Sequence, residues 1–189
     1  MLELDYFQNL QSFINKNNTD VTFFANEIVA KINSGSSIWI MGNGGSASTA
    51  EHFETDLSYI KKESGFAKIK AFAITSNSSL ITAIANDIGF DKVFSHQLNR
   101  KASKGDICFI ISASGNSENL ICAINAAKAL GLETLAILGF DGGKIMDLAD
   151  HAILIRSEIG EYGPVEDLHL AICHALAAKI LKLLELKNV

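Results

Sequence analysis

Five short apolar runs, each separated from the next by helical patterns, set the tightest limit on what this chain can fold into. They lie at 37–41 (SIWIM), 69–74 (IKAFAI), 107–111 (ICFII), 133–138 (ETLAIL) and 152–155 (AILI). Near-continuous apolar strands suit a sheet buried on both faces, and the intervening helices supply the crossovers that parallel strands need. Helical spacing is predicted at 46–60, 78–88, 91–101, 117–130 and 143–149, with a long closing helix from about 165 to 187. Two further helical patterns precede the first strand, one carrying Phe7, Leu10, Phe13 and Ile14, the other Phe24, Ile28, Val29 and Ile32, with NKNNTD as the break. The expectation is one three-layer α/β domain over 1–189, with residues 1–34 as an N-terminal two-helix arm and 35–189 as the core.

Composition excludes several alternatives. Hydrophobic residues make up 48% and charged residues 20% of the 189, which describes an ordered globular chain. A net charge of -5 without a basic block leaves no footprint for nucleic acid. No apolar run approaches the ~20 residues of a membrane span. Acidic residues stand in MLELDYFQNL where a signal peptide would carry positive charge, so the expected location is cytoplasmic. Cys108, Cys122 and Cys173 are odd in number, scattered and in apolar settings, and read as reduced core thiols.

In open parallel sheets, ligands bind beyond the carboxyl ends of the strands. After the first strand comes Gly42-Asn43-Gly44-Gly45-Ser46, whose glycines allow a ligand to approach the backbone closely at a helix N-terminus. The spacing fits neither the dinucleotide nor the P-loop pattern. After the third strand, SASGNS offers the Ser112, Ser114 and Ser117 hydroxyls immediately before another helix, a lining suited to a phosphate monoester. The same residues could form a plain turn in which Ser117 caps the helix.

Among ionisable groups, His52 and Asp56 share a helix face at i, i+4, as a metal-binding or acid–base pair or as an incidental surface pair. The closing helix carries Glu166, Asp167, His169 and His174; His174 sits among small apolar neighbours, either as a core group or as an imidazole aimed into a site. His96 and His151 have no partner in the pattern and read as structural or exposed.

The stretches GNGGSAxxAxHFxxxL, NDxGFxxVFSxQ, ISxSGNSxN and EDLHLxxxH resemble the SIS (sugar isomerase) family, and within it the phosphoheptose isomerases, in the right order from about Ser37 to about Leu184. The resemblance implies a five-stranded parallel sheet in flavodoxin-like order, a homotetramer joined partly through the N-terminal arm, and sites at subunit interfaces. It implies conversion of sedoheptulose 7-phosphate into D-glycero-D-manno-heptose 7-phosphate through an enediol, on the way to lipopolysaccharide or capsule. Position by position, it assigns substrate contacts to Asn43, Gly44, Gly45, Ser46, Asn86, Asp87, Ser112, Ser114, Ser117 and Glu166. Asp56 and His174 fall on catalytic positions. His52, Asp56, Glu166 and His174 fall on the ligand positions for one zinc ion per site. The chain departs from the family in having Asp56 for a usual Glu, Glu166 for a Gln, Ile60 for an Arg and Gly163 for an acidic residue. A carboxylate one methylene short matters because ~1 Å of misplacement can cost ~100-fold in rate. The competing expectations are a catalytically inert SIS scaffold of the kind that binds a replication initiator, which lacks the histidine matching His174, an isomerase of a related sugar phosphate, and a sugar-phosphate sensor.

Overall fold

A computed structural model describes residues 3–17, 19–62 and 65–186 of the chain. In chain order the elements are α1 (Glu3–Lys16), α2 (Thr22–Ser34), β1 (Ser37–Met41), α3 (Gly45–Ser58), β2 (Lys61–Lys62), β3 (Gly65–Phe66), β4 (Lys70–Ala73), α4 (Ser78–Asp87), a 3-10 turn (Phe90–Lys92), α5 (Ser95–Lys101), β5 (Ile107–Ser112), α6 (Glu118–Leu130), β6 (Glu133–Phe140), α7 (Gly143–Leu148), β7 (His151–Arg156) and α8 (Tyr162–Leu186). The five expected strands form one parallel sheet in the order β4-β1-β5-β6-β7. This is the flavodoxin-like order, and its switch point lies between β1 and β5.

Alternation along each strand sorts the core onto the two faces of the sheet. Ile38, Ile40, Ile107, Phe109, Ile111, Leu135 and Ile137 pack against α2, α3 and α8. Trp39, Met41, Cys108, Ile110, Ala136 and Leu138 face the other way, against α4 to α7. Both faces are therefore covered, which is why the strands read as continuous apolar runs.

Each sheet edge is closed by a side chain. At β4, the Glu54 carboxylate of α3 accepts from the Ala73 amide at 2.9 Å. At β7, the Asn17 side chain behaves as a missing strand: its Oδ1 accepts from Arg156 N at 2.9 Å and its Nδ2 donates to Arg156 O at 3.3 Å. Satisfying these backbone groups blunts the tendency of an open edge to pair with another chain.

The structure differs from the sequence expectation at three places. The helix expected over 91–101 is split into a 3-10 turn at Phe90–Lys92 and α5 from Ser95, with buried Val93 and Phe94 between them. The β2–β3 hairpin was not expected; two-residue strands carry no period, and it is anchored by buried Ile60 and by Ala67 N donating to Ile60 O at 2.8 Å. Helix α8 starts at Tyr162, so Pro164 lies in its first turn, where its missing N–H leaves no helical bond unmade.

The two N-terminal helices also differ in role. Phe24, Ala25, Ile28 and Val29 bury α2 in the main core, so it belongs to a layer of the sandwich rather than to an appendage. Helix α1 is peripheral. It is tied to α8 by the Tyr6 hydroxyl, which donates to Asp167 Oδ2 at 2.6 Å, and this bond holds the phenol pKa up at about 12. Among the described residues, no helix is long and apolar enough to cross a membrane.

Under the N-terminal ends of β1 and β5, buried Asp106 accepts from Ser37 N at 2.8 Å, Trp39 Nε1 at 2.9 Å and Ser103 N at 2.9 Å. We expect Asp106→Ala to lower unfolding free energy by about 3 kcal/mol, read by chemical denaturation, because it strands several buried donors at once.

Candidate active site

Adjacent strands β1 and β5 deliver the two glycine- and serine-bearing loops side by side. Gly44 adopts φ 55, ψ -123, a conformation closed to residues with a Cβ, and it turns the chain directly into α3. A Cβ on Gly42 would lie 2.7 Å from the Ser46 carbonyl, so this loop can be compact only as glycine. Beyond β5, Gly115 packs its α-carbon onto the Gly142 carbonyl, and Ile145 N donates to Gly115 O at 3.0 Å, locking the serine loop to the start of α7.

Between the loops lies a cleft of about 150 Å³ lined by Asn43, Ser46, Ser112, Ser114, Ser117, Tyr162 and Glu166, with Ile111 and Ala113 behind. Two helix N-termini, those of α3 and α6, open beside it, and neither carries a side-chain cap. Uncapped amides and the positive dipole end favour an anion there. The Ser112 and Ser114 hydroxyl oxygens accept from the Gly115 and Asn116 amides at 3.1 and 3.3 Å, so each keeps its own proton to donate. Ser117 occupies the N-cap position of α6, but its side chain makes no cap bond there and its hydroxyl is left for another partner.

Helices α3 and α8 run side by side in the same direction. Glu166 packs against Gly45 at their N-terminal ends, and two turns further along His52 meets His174. The two imidazole Nε2 atoms are 3.0 Å apart, and Asp56 Oδ1 and Oδ2 lie 3.5 Å from His52 Nε2 and 3.7 Å from His174 Nε2. Asp56 Oδ2 is buried and makes no hydrogen bond. Three ligand-type atoms thus converge within 4.8 Å, one of them an orphaned carboxylate oxygen, and this donor set fits a transition-metal ion such as zinc. His52 and His174 are about half exposed, so the cluster stands on an open helical face.

The other expected site residues are placed less simply. Glu166 does not join the His52–Asp56–His174 cluster; its carboxylate lies in the phosphate-sized cleft, because Gly45 leaves the space it fills. Asn86 and Asp87, in the last turn of α4, are exposed, bonded to each other at 2.8 Å, and do not line the cleft of their own chain. Gly163 leaves room for Tyr6, whose hydroxyl would lie 3.0 Å from an added Cβ, and Ile60 is spent on the core.

Sequence reading gave no role to Tyr162 or Asn119. Tyr162 walls the cleft and meets Phe140 edge-on at 5.0 Å, where Phe140 holds a left-handed φ of 52 at the end of β6. Asn119 bonds to Asn43 across the two loops. Of the cysteines, Cys108 and Cys173 are buried as expected, with their thiols pushed up by burial, Cys108 to about 12. Cys122 is only half-buried and lies 3.3 Å from Lys92 Nζ, so it departs from the apolar core expectation.

His169 is fully buried on α8, and neither ring nitrogen makes a hydrogen bond of good geometry. Burial pulls its pKa from 6.5 down to about 4, partly opposed by the Leu138 carbonyl. The neutral imidazole contributes stability above pH 6.5 that is lost on acidification towards pH 4, since only the unfolded chain takes up the proton in that window.

The fold agrees with that of known proteins. Residues 4–139 match the SIS domain family, and the chain belongs to it. Several of its relatives carry the name phosphoheptose isomerase. A "probable phosphoheptose isomerase" of Thermoplasma acidophilum is 37% identical over 169 residues, 88% of this chain and 90% of that protein. A phosphoheptose isomerase structure from Neisseria gonorrhoeae superposes with a TM-score of 0.83 at 31% identity, covering 94% of this chain and 95% of that one. Another, from Francisella tularensis, gives 0.86 at 25% identity, covering 96% and 100%.

Two measurements check this site. We expect Asp56→Asn to weaken zinc binding by about 100-fold or more in calorimetric titration, beyond the usual cost of losing a partner outside the ligand shell. His169→Leu should reduce by about 2 kcal/mol the loss of stability between pH 7 and pH 5, read by denaturation at each pH.

Proposed function

We propose that the protein is a ketose–aldose isomerase that interconverts sedoheptulose 7-phosphate and D-glycero-D-manno-heptose 7-phosphate. The observation that carries this reading is the two-turn separation between an anion cleft and a His52–Asp56–His174 cluster on parallel helices. Seven residues of α3 and eight of α8 correspond to about 10.5 and 12 Å at 1.5 Å per residue. An extended seven-carbon chain, six C–C bonds of about 1.5 Å in zigzag plus the ester, reaches roughly 10 Å from phosphorus to C1. The kinship with phosphoheptose isomerases supports the same substrate.

In this reading the Ser112, Ser114 and Ser117 hydroxyls and the α3 and α6 amides hold the phosphate. Asn43, Gly44, Gly45 and Ser46 line its neck. The Asp56 carboxylate removes the C1 proton of the ketose and returns it at C2. His174 moves the proton between O1 and O2 of the cis-enediol, so the net change is one of position only. His52, Asp56 and His174 would hold a zinc ion, which when bound supplies positive charge to the developing enediolate oxygen. Glu166, from its place beside Gly45, accepts hydrogen bonds from substrate hydroxyls next to the phosphate rather than binding the metal.

Closing the exposed histidine face calls for further copies of the chain, and we propose a homotetramer in which exposed Phe7 and Phe23 help form contacts. Asn86 and Asp87 would then act on the cleft of a neighbouring copy. A cytoplasmic enzyme supplying heptose for lipopolysaccharide or capsule completes the proposal. A catalytically inert scaffold has no use for the clustered His52, Asp56 and His174 side chains.

Incubation with sedoheptulose 7-phosphate and zinc should yield the aldose, detected by anion-exchange chromatography. His174→Ala should abolish turnover while the assembly, read by light scattering, is retained. No product from the zinc-loaded wild type would sink the heptose assignment.

A further inference from the structure

Asn43 and Asn119 form a reciprocal amide pair between the two loops. Asn43 Nδ2 donates to Asn119 Oδ1 at 2.9 Å, and Asn119 Nδ2 donates to Asn43 Oδ1 at 2.8 Å. Asn119 sits in the first turn of α6, 2% exposed, whereas Asn43 borders the cleft. A side-chain amide offers two N–H donors and two acceptor lone pairs. The pair consumes one of each on Asn43 and leaves one of each for a ligand. Two parallel bonds also fix the plane of the Asn43 amide, which a single bond would leave free to rotate. Because Asn119 is carried by α6, the same pair sets the spacing between the glycine loop and the serine loop.

We propose that Asn119 is a positioning residue for sugar-phosphate binding, acting through Asn43 and never touching the ligand itself. The inference rests on the phosphate cleft assigned above, and it concerns affinity more than chemistry, since Asn43 stands at the opposite end of α3 from Asp56. Loss of Asn119 leaves the Asn43 amide free to turn and the two loops free to separate. The sugar phosphate then binds more weakly while the His52–Asp56–His174 cluster is undisturbed.

The test is a double-mutant cycle of Asn43→Ala and Asn119→Ala, with isosteric Asn119→Asp as the variant that preserves volume. Inorganic phosphate is titrated by calorimetry, and KM and kcat are measured with sedoheptulose 7-phosphate. Either change at Asn119 should weaken phosphate and raise KM by roughly tenfold, the scale of one or two hydrogen bonds, and raise KM more than it lowers kcat. In the Asn43→Ala background, Asn119→Ala should have no further effect on either affinity. Unchanged phosphate affinity in both Asn119 variants, a full additional loss in the Asn43→Ala background, or no phosphate binding to the wild type would overturn the proposal. A wild type that binds phosphate without turning over the heptose would refute the substrate assignment while the cycle still reads the role of Asn119.

Discussion

The parallel pairing of β1 with β5 is the contact on which the rest of the molecule depends. Its register, from Ile38 opposite Ile107 to Met41 opposite Ile110, brings both strands to the same edge of the sheet. The glycine loop and the serine loop therefore emerge next to each other, although roughly seventy residues separate them in sequence. Asp106 fixes the opposite ends of these strands, and the Asn43–Asn119 pair joins the loops at the carboxyl ends. A slip by one residue would invert the faces of Trp39, Ile40 and Met41 and separate the loops.

Helices α3 and α8 convert that adjacency into a site with two ends. Both start at the cleft and lie against the same face of the sheet, so in the proposed binding mode distance along them measures distance along the substrate chain. Gly45 opens α3 in contact with Glu166 near the start of α8, and about two turns further along come His52 and His174, with Asp56 one turn beyond His52. Cys173 packs below this cluster with its thiol held protonated, first by burial and then by the nearby Asp56 charge. It is a spacer under the site rather than a nucleophile.

Much of this was legible in the residues. Five apolar runs fixed the sheet because strands buried on both faces leave an unmistakable pattern, and α/β order placed the loops at the carboxyl ends. His52 with Asp56 was visible as an i, i+4 pair, but only the tertiary packing of α8 on α3 adds His174 to it. The rest depended on space. Glu166 turns to the cleft because Gly45 has no side chain, which spacing along α8 cannot reveal. Asn119 was within a quoted motif, yet its partner is fixed only when β1 and β5 become neighbours. Asn86 and Asp87 carry the resemblance to relatives but have no place in the cleft of their own chain.

The central claim is that the phosphate and the reacting carbons occupy opposite ends of the α3–α8 groove. A crystal structure of the His174→Ala variant soaked with sedoheptulose 7-phosphate tests this most directly. Phosphate density is expected among Ser112, Ser114 and Ser117, with C1 and C2 beside Asp56. Phosphate bound instead in the larger cleft of about 760 Å³ that Lys16 and Arg156 line would contradict it.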